Sequence, residues 1–229
     1  MNKNKYLHII VPHRGVNAGK SRLSAVLTDV ARCRLNRWLL ARTVGVVAQW
    51  LGDAGRCVVV SPCEVTLALA RKAGAHALAE PAGAADLNAA CTHAAAHAAA
   101  RGAQRLLILP CDLPCLDVAA LQALESVPVT DGDVVIAPDR HHEGTNALLV
   151  DAGVREFAFG VNSYAKHLVQ GNARGVRTVA CVHAALAFDL DTADDFETWY
   201  RSDDAPHDFL ATLPRVASRS AGTVTSRTK

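Results

Sequence analysis

Leu106-Leu-Ile-Leu-Pro-Cys-Asp-Leu-Pro114 is the stretch whose reading decides the fold. Its four leading apolar residues, without polar alternation, fit a strand buried on both faces, as in the middle of a parallel sheet. Pro110 stops the strand, and Asp112 follows just beyond its carboxyl end. In open α/β sheets that edge is where ligands gather. The prolines on either side restrict the backbone around Asp112, which suits a carboxylate that has to be held still.

Working outward, the pattern repeats. Tyr6–Val11, Cys57–Val60, Ala77–Ala79, Val134–Ala137, Ala147–Val150 and Val176–Val182 read as further strands. Between them the spacing predicts helices over Asp29–Leu51 behind an N-cap at Thr28, Val65–Ala73, the alanine-rich Ala84–Arg101 ending at Gly102, and Asp117–Ser126. A last helix runs through Tyr200. Strands alternating with helices imply an α/β chain, a Rossmann-like three-layer sandwich with a mostly parallel sheet. Residues 1–200 are expected to form one domain, and 201–229 a C-terminal extension. Its tail from Val216, mostly Ser, Thr, Arg and Gly, is expected to be poorly ordered.

Composition excludes several classes. Of the 229 residues 50% are hydrophobic and 20% charged, which is globular rather than disordered. A net charge of +2 gives no dedicated nucleic-acid surface. The seven cysteines, at 33, 57, 63, 91, 111, 115 and 181, never form Cys-x-x-Cys, so free thiols in a reducing cytosol are expected rather than a zinc site. No apolar run approaches the ~18 residues of a membrane span, and Tyr6–Val11 is too short for a signal core. A cytoplasmic protein is expected.

Four segments carry candidate chemistry. Gly15-Val-Asn-Ala-Gly-Lys-Ser21 resembles a phosphate-binding P-loop, but only three residues separate its glycines where four are needed. A phosphate-contacting loop of another kind is the better reading. Arg14, Lys20 and Arg22 would supply cations there, and Gly15 and Gly19 would let the backbone approach the ligand. Asp112 is a candidate magnesium ligand, since that ion prefers one or two protein carboxylates completed by phosphates and water. Phe188-Asp-Leu-Asp-Thr-Ala-Asp-Asp195 offers two more, Asp189 and Asp191, on one face of an extended segment. Asp191 or Thr192 could instead cap the next helix, which leaves Asp189 the stronger ligand. Finally, Ala137–Asn146 and Phe159–His167 are loops dense in donors. There Thr145, Gly160 and Ser163 could hold a phosphate or carboxylate, Ser163 standing where a helix would begin. His93 and His97, four apart on the alanine-rich helix, lack a third ligand and read as helix-surface residues.

In order along the chain, Val11-Pro-His-Arg14, Lys20-Ser-Arg-Leu23, Val58-Val-Val-Ser-Pro62, Asp86-Leu-Asn88, Leu109-Pro-Cys-Asp-Leu-Pro114, Ala137-Pro-Asp-Arg-His141, Gly144-Thr-Asn-Ala-Leu148, Phe159-Gly160 with Ser163, and Asp189-Leu-Asp-Thr192 resemble the 2-phospho-L-lactate guanylyltransferases of coenzyme F-420 biosynthesis. The resemblance implies a nucleotide-diphospho-sugar transferase (glycosyltransferase-A-like) fold. It also implies transfer of GMP from GTP to 2-phospholactate, phosphoenolpyruvate or 3-phosphoglycerate, with pyrophosphate released. Magnesium would sit on Asp112 and Asp189, and Thr145, Gly160 and Ser163 would touch the acceptor. Ser61, Asp86 and Asn88, with Gly15, are the expected nucleotide contacts. A downstream transferase of the same pathway is the implied partner, and a homodimer is compatible with the resemblance. The chain departs from the family at His13-Arg14, where Lys is usual in place of Arg14, at Cys111, and at Val161, where Pro is frequent. These changes bear on which acid is accepted more than on the reaction type.

Overall fold

The computed structural model describes residues 6–81, 83 and 86–216. Seven strands form one sheet: β1 (Leu7–Pro12), β2 (Cys57–Ser61), β3 (His76–Ala79), β4 (Arg105–Ile108), β5 (Val134–Pro138), β6 (Thr145–Asp151) and β7 (Thr178–Ala180), in the order β3-β2-β1-β4-β6-β5-β7. Every neighbouring pair is parallel except the two that β6 makes, with β4 and β5. The sheet is mostly parallel, as expected, with β6 the one reversed strand.

Buried aliphatics on both faces of the central strands explain the continuous apolar runs. Along β1, Leu7, Ile9 and Val11 join one core and Ile10 the other, as alternation requires. The first core is covered by α1 (Asp29–Leu51), α2 (Glu64–Lys72) and α4 (Val118–Ser126). Over the second lie α3 (Leu87–Ala100), which buries Ala90, Ala94, Ala95 and Ala98 beside Cys91, and the first turn of α5 (Ser163–Ala173). Those small side chains seat α3 against the strands. Thr28 caps α1 with its hydroxyl, accepting from Ala31 N.

Three helices complete the chain: α6 (Ala184–Ala187), α7 (Ala193–Tyr200) and α8 (His207–Ala211). The extension beyond residue 200 packs on the domain as far as it is described. Ala205, Leu210 and Leu213 join Leu23, Leu27, Leu35, Phe196 and Trp199 in a third core, and Val216 N donates to Val26 O. The expectation of a poorly ordered tail concerns residues 217–229, which lie outside the described residues, as does the predicted helix start at Ala84. All seven cysteines are free, as expected. No helix among the described residues is long and apolar enough to cross a membrane.

Candidate active site

At the carboxyl edge of the sheet, β4 runs out into Asp112. The segment Asp189–Asp191 lies beside it, tied by Leu190 N donating to Asp112 O at 2.9 Å. Lys20 reaches in from the loop after β1. Its Nζ stands 3.5 Å from Asp112 Oδ2 and 3.4 Å from Asp191 Oδ1, and donates to Leu190 O. Burial alone would lower the pKa of this amine, but Asp112 and Asp191 outweigh it and leave it raised, so Lys20 is a fixed cation. Arg22, largely exposed, lies 4.0 Å from the other oxygen of Asp191. Arg14 is exposed at the rim and faces Glu80.

Backbone geometry explains Lys20's position. Gly15 (φ +129°) and Gly19 (φ +82°) take conformations that side chains resist, and Lys20 itself is left-handed (φ 53°). A Cβ on Gly15 would stand 3.0 Å from Cys63 Cβ. The loop is pinned by Asn36 Nδ2, which donates to Val16 O and Ala18 O, and by Thr66 Oγ1, which accepts from Val16 N. His13 Nδ1 accepts from Gly15 N at 2.9 Å. Burial and the nearby Lys20 cation hold this histidine's pKa down to about 4 against the pull of Asp112. The P-loop alternative does not fit this arrangement. The loop leads into a short 3-10 segment, Ser21–Ala25, and α1 begins only at Asp29, so no α-helix N-terminus backs the glycines.

Thr192, not Asp191, caps α7. Its hydroxyl accepts from Asp195 N, and the Asp195 carboxylate accepts from the backbone N–H groups of Thr192 and Asp191, forming a capping box. Arg140 pairs with Asp195 and lies over the Phe188 ring. Capping therefore does not account for Asp191; its pairing with Lys20 and Arg22 does. Asp189 is different in kind. Burial, then Asp112 and Asp191, raise its carboxyl above the usual range, while the Asn146 amide opposes that rise. A buried carboxyl raised by neighbouring acids belongs to a donor set that a divalent cation relieves, so Asp189 with Asp112 suits magnesium chemically. Among the described residues no group of three or more His, Cys, Asp or Glu side chains is arranged to hold a metal alone.

The reversed strand β6 builds the other half of the site. Alternation along it sends Ala147 and Leu149 to one core, Leu148 and Val150 to the other. Its pairing with β5 slips where Ala137 faces Ala147 but Pro138 faces Thr145. That bulge reverses the phase. Thr145 now reaches His167 of α5, at 3.0 Å, while Asn146 Nδ2 donates to Leu186 O of α6. Successive residues thus serve two half-sites, Asn146 the carboxylates and Thr145 the donor-rich loops. Those loops are joined to each other: Asp139 accepts from His141, Glu143 and Gly144 N, and Glu143 O accepts from Tyr164 N. Gly160 is left-handed (φ +115°), its O accepting from Ser163 N, and Ser163 opens α5.

Besides Gly15, the residues expected to contact nucleotide, Ser61, Asp86 and Asn88, have partners within the protein. Asn88 clamps the loop before α5, its Oδ1 accepting from Phe159 N at 2.7 Å and its Nδ2 donating to Phe159 O. Asp86 caps α3, accepting from Ala89 N, and the wholly buried Ser61 accepts from Cys63 N through its hydroxyl. His167, Asn146 and Arg140 all lie inside loops that the sequence marks as donor-rich, yet nothing in their spacing assigns them partners.

The model of the guanylyl transferase CofC-like family matches residues 7–217. The chain belongs to this family. It is 40% identical over 189 residues to a phosphoenolpyruvate guanylyltransferase of Rubrobacter xylanophilus, covering 81% of this chain and 89% of the relative. A 3-phospho-D-glycerate guanylyltransferase of Phenylobacterium zucineum is 37% identical over 190 residues, covering 81% and 86%. Among solved structures, a candidate nucleotide-diphospho-sugar transferase from Desulfovibrio desulfuricans G20 superimposes with a TM-score of 0.60 at 17% identity, covering 90% of this chain and 94% of that one. The fold is of the nucleotide-diphospho-sugar transferase type, and as a family member the chain is a nucleotidyltransferase.

Proposed function

We propose that the chain moves GMP from GTP to a small phosphorylated three-carbon acid, releasing pyrophosphate, as a step in coenzyme F-420 biosynthesis. The acid would be phosphoenolpyruvate, 3-phospho-D-glycerate or 2-phospho-L-lactate. The reading is carried by the bulge in β6, which turns Asn146 to the carboxylates and Thr145 to the anion-holding loops. Two anions then meet at one sheet edge.

Lys20, Arg14 and Arg22 offset the repulsion between the triphosphate and the acceptor's phosphate. Thr145, Gly160 and Ser163 hold the acid so that its phosphate oxygen faces the α-phosphorus of GTP. A phosphate monoester with a second pKa of about 6 is largely dianionic at neutral pH, so the attack needs no general base. Asp112 and Asp189 would hold magnesium, which when bound neutralises phosphate charge.

Pyrophosphate release with GTP and magnesium, measured against phosphoenolpyruvate, 2-phospholactate and 2- and 3-phosphoglycerate, with ATP and CTP as controls, tests this. Release is expected only when an acid is present and to be strongest with GTP. Release without any acid would make the chain a GTP hydrolase instead.

A further inference from the structure

His167 stands four residues after Ser163 on α5, so the two side chains share a helix face, and both are buried, 3% and 2% exposed. Each ring nitrogen of His167 has a partner. Ala158 N donates to Nε2 at 3.2 Å, and Nδ1 lies 3.0 Å from Thr145 Oγ1. A backbone N–H can only donate, so Nε2 must be the bare nitrogen, and the neutral ring carries its proton on Nδ1. Burial, with Arg174 and Lys166 nearby, holds the pKa down to about 4, which keeps the ring neutral at physiological pH. The ring is fixed further by its edge-on contact with Phe159, centroids 4.9 Å apart.

These directions settle the Thr145 hydroxyl. It accepts from Nδ1–H, so its own proton has to point elsewhere. Among the described residues His167 is its one hydrogen-bond partner. We propose that His167 is a positioning residue: by donating to Thr145 Oγ1 it turns the hydroxyl proton of Thr145 toward an anionic group of the bound phosphorylated acid. This rests on the reading of Thr145 as an acceptor contact.

Two substitutions separate this role from a merely structural one. The amide of Asn reaches about as far as Nδ1, so His167→Asn keeps a donor for Thr145 and abandons Ala158. The longer Gln reaches about as far as Nε2, so His167→Gln keeps the Ala158 side and abandons Thr145. Initial rates with GTP and phosphoenolpyruvate, 3-phosphoglycerate or 2-phospholactate should show KM for the acid raised about tenfold in His167→Gln, the loss of one hydrogen bond to a charged group. His167→Asn should stay within about threefold of wild type, and KM for GTP should hold in both. In a Thr145→Val background His167→Gln should add little, because the two losses share one hydroxyl. The reverse order of Asn and Gln, or losses that multiply, overturns the proposal. Should His167→Gln fail to fold, nitrogen-15 NMR of the wild-type imidazole decides: a proton on Nδ1 is expected, and one on Nε2 overturns it. A wild type that transfers to none of the three acids overturns the acceptor reading, and His167's role with it, whereas failure of the Asn–Gln order in a working enzyme overturns the role alone.

Discussion

Two buried histidines, His13 and His167, are held at a pKa of about 4, the first by burial and the Lys20 cation, the second by burial and the cations Arg174 and Lys166. The unfolded chain binds protons at these positions as pH falls through about 6.5, while the folded chain does not until about 4. Their contribution to stability is therefore complete above pH 6.5 and is lost as pH falls toward 4, at up to about 1.4 kcal/mol per pH unit for each. Melting curves from pH 7.5 to 4.5 should show the wild-type Tm falling through this window and His167→Asn falling less steeply; equal slopes would contradict a neutral, buried His167. Residue type and place were legible for Asp112, whose strand and prolines set it at the sheet edge. For Asp191 they left capping open between it and Thr192; α7 begins at Ala193, so Thr192 stands at the N-cap and closes the capping box with Asp195. For Asn88, helix position was readable but its partner was not. The Phe159 backbone it clamps lies 71 residues away, and no local pattern records that meeting.

At the scale of elements, the link between Pro138 and Thr145 holds the lesson about β6. Only Asp139–Gly144 intervene, too few for the crossover that a parallel partner needs, so the reversal of this strand is written in the loop length rather than in its apolar run. The bulge that re-aims Thr145 and Asn146 leaves no such mark, because the sequence Thr145-Asn-Ala-Leu148 reads equally well in either phase. Short helices were hidden for another reason: α6 and α8 span four and five residues, less than the periodicity needs to show. The capping box at α7 does double work, since the Asp195 carboxylate that completes it also holds Asp191 N. Thr192→Ala should cost about 1 kcal/mol. For a chain of this length that lowers Tm by about 2–4 °C, read by thermal melting. An unchanged Tm would mean that the Arg140–Asp195 pair alone holds the helix start.

Over the whole molecule, the α/β class, the alternation of layers and the edge that carries the site followed from apolar runs ended by Pro110, Ser61 and Pro138. Strand order did not, because hydropathy says that β4 is central without saying that β1 and β6 flank it. Folding gathers what the sequence scatters: Lys20 from the first loop, Asp112 from β4's end, Asn146 from β6 and Asp189 from the chain before α7 all converge on one edge. The Thr145–His167 bond sets the donor-rich loops on the opposite side of β6. The proposed reaction at this edge joins a guanylyl group to a phosphorylated acid. Following the α-phosphorus of radiolabelled GTP tests it most directly, in the wild type and in Asp112→Asn, with phosphoenolpyruvate, 3-phosphoglycerate or 2-phospholactate present or withheld. The label should move into a guanylylated acid only in the wild type and only with acid present, Asp112→Asn remaining folded and inactive. Label recovered as free GMP regardless of acid, or transferred at a near-normal rate by Asp112→Asn, would contradict it.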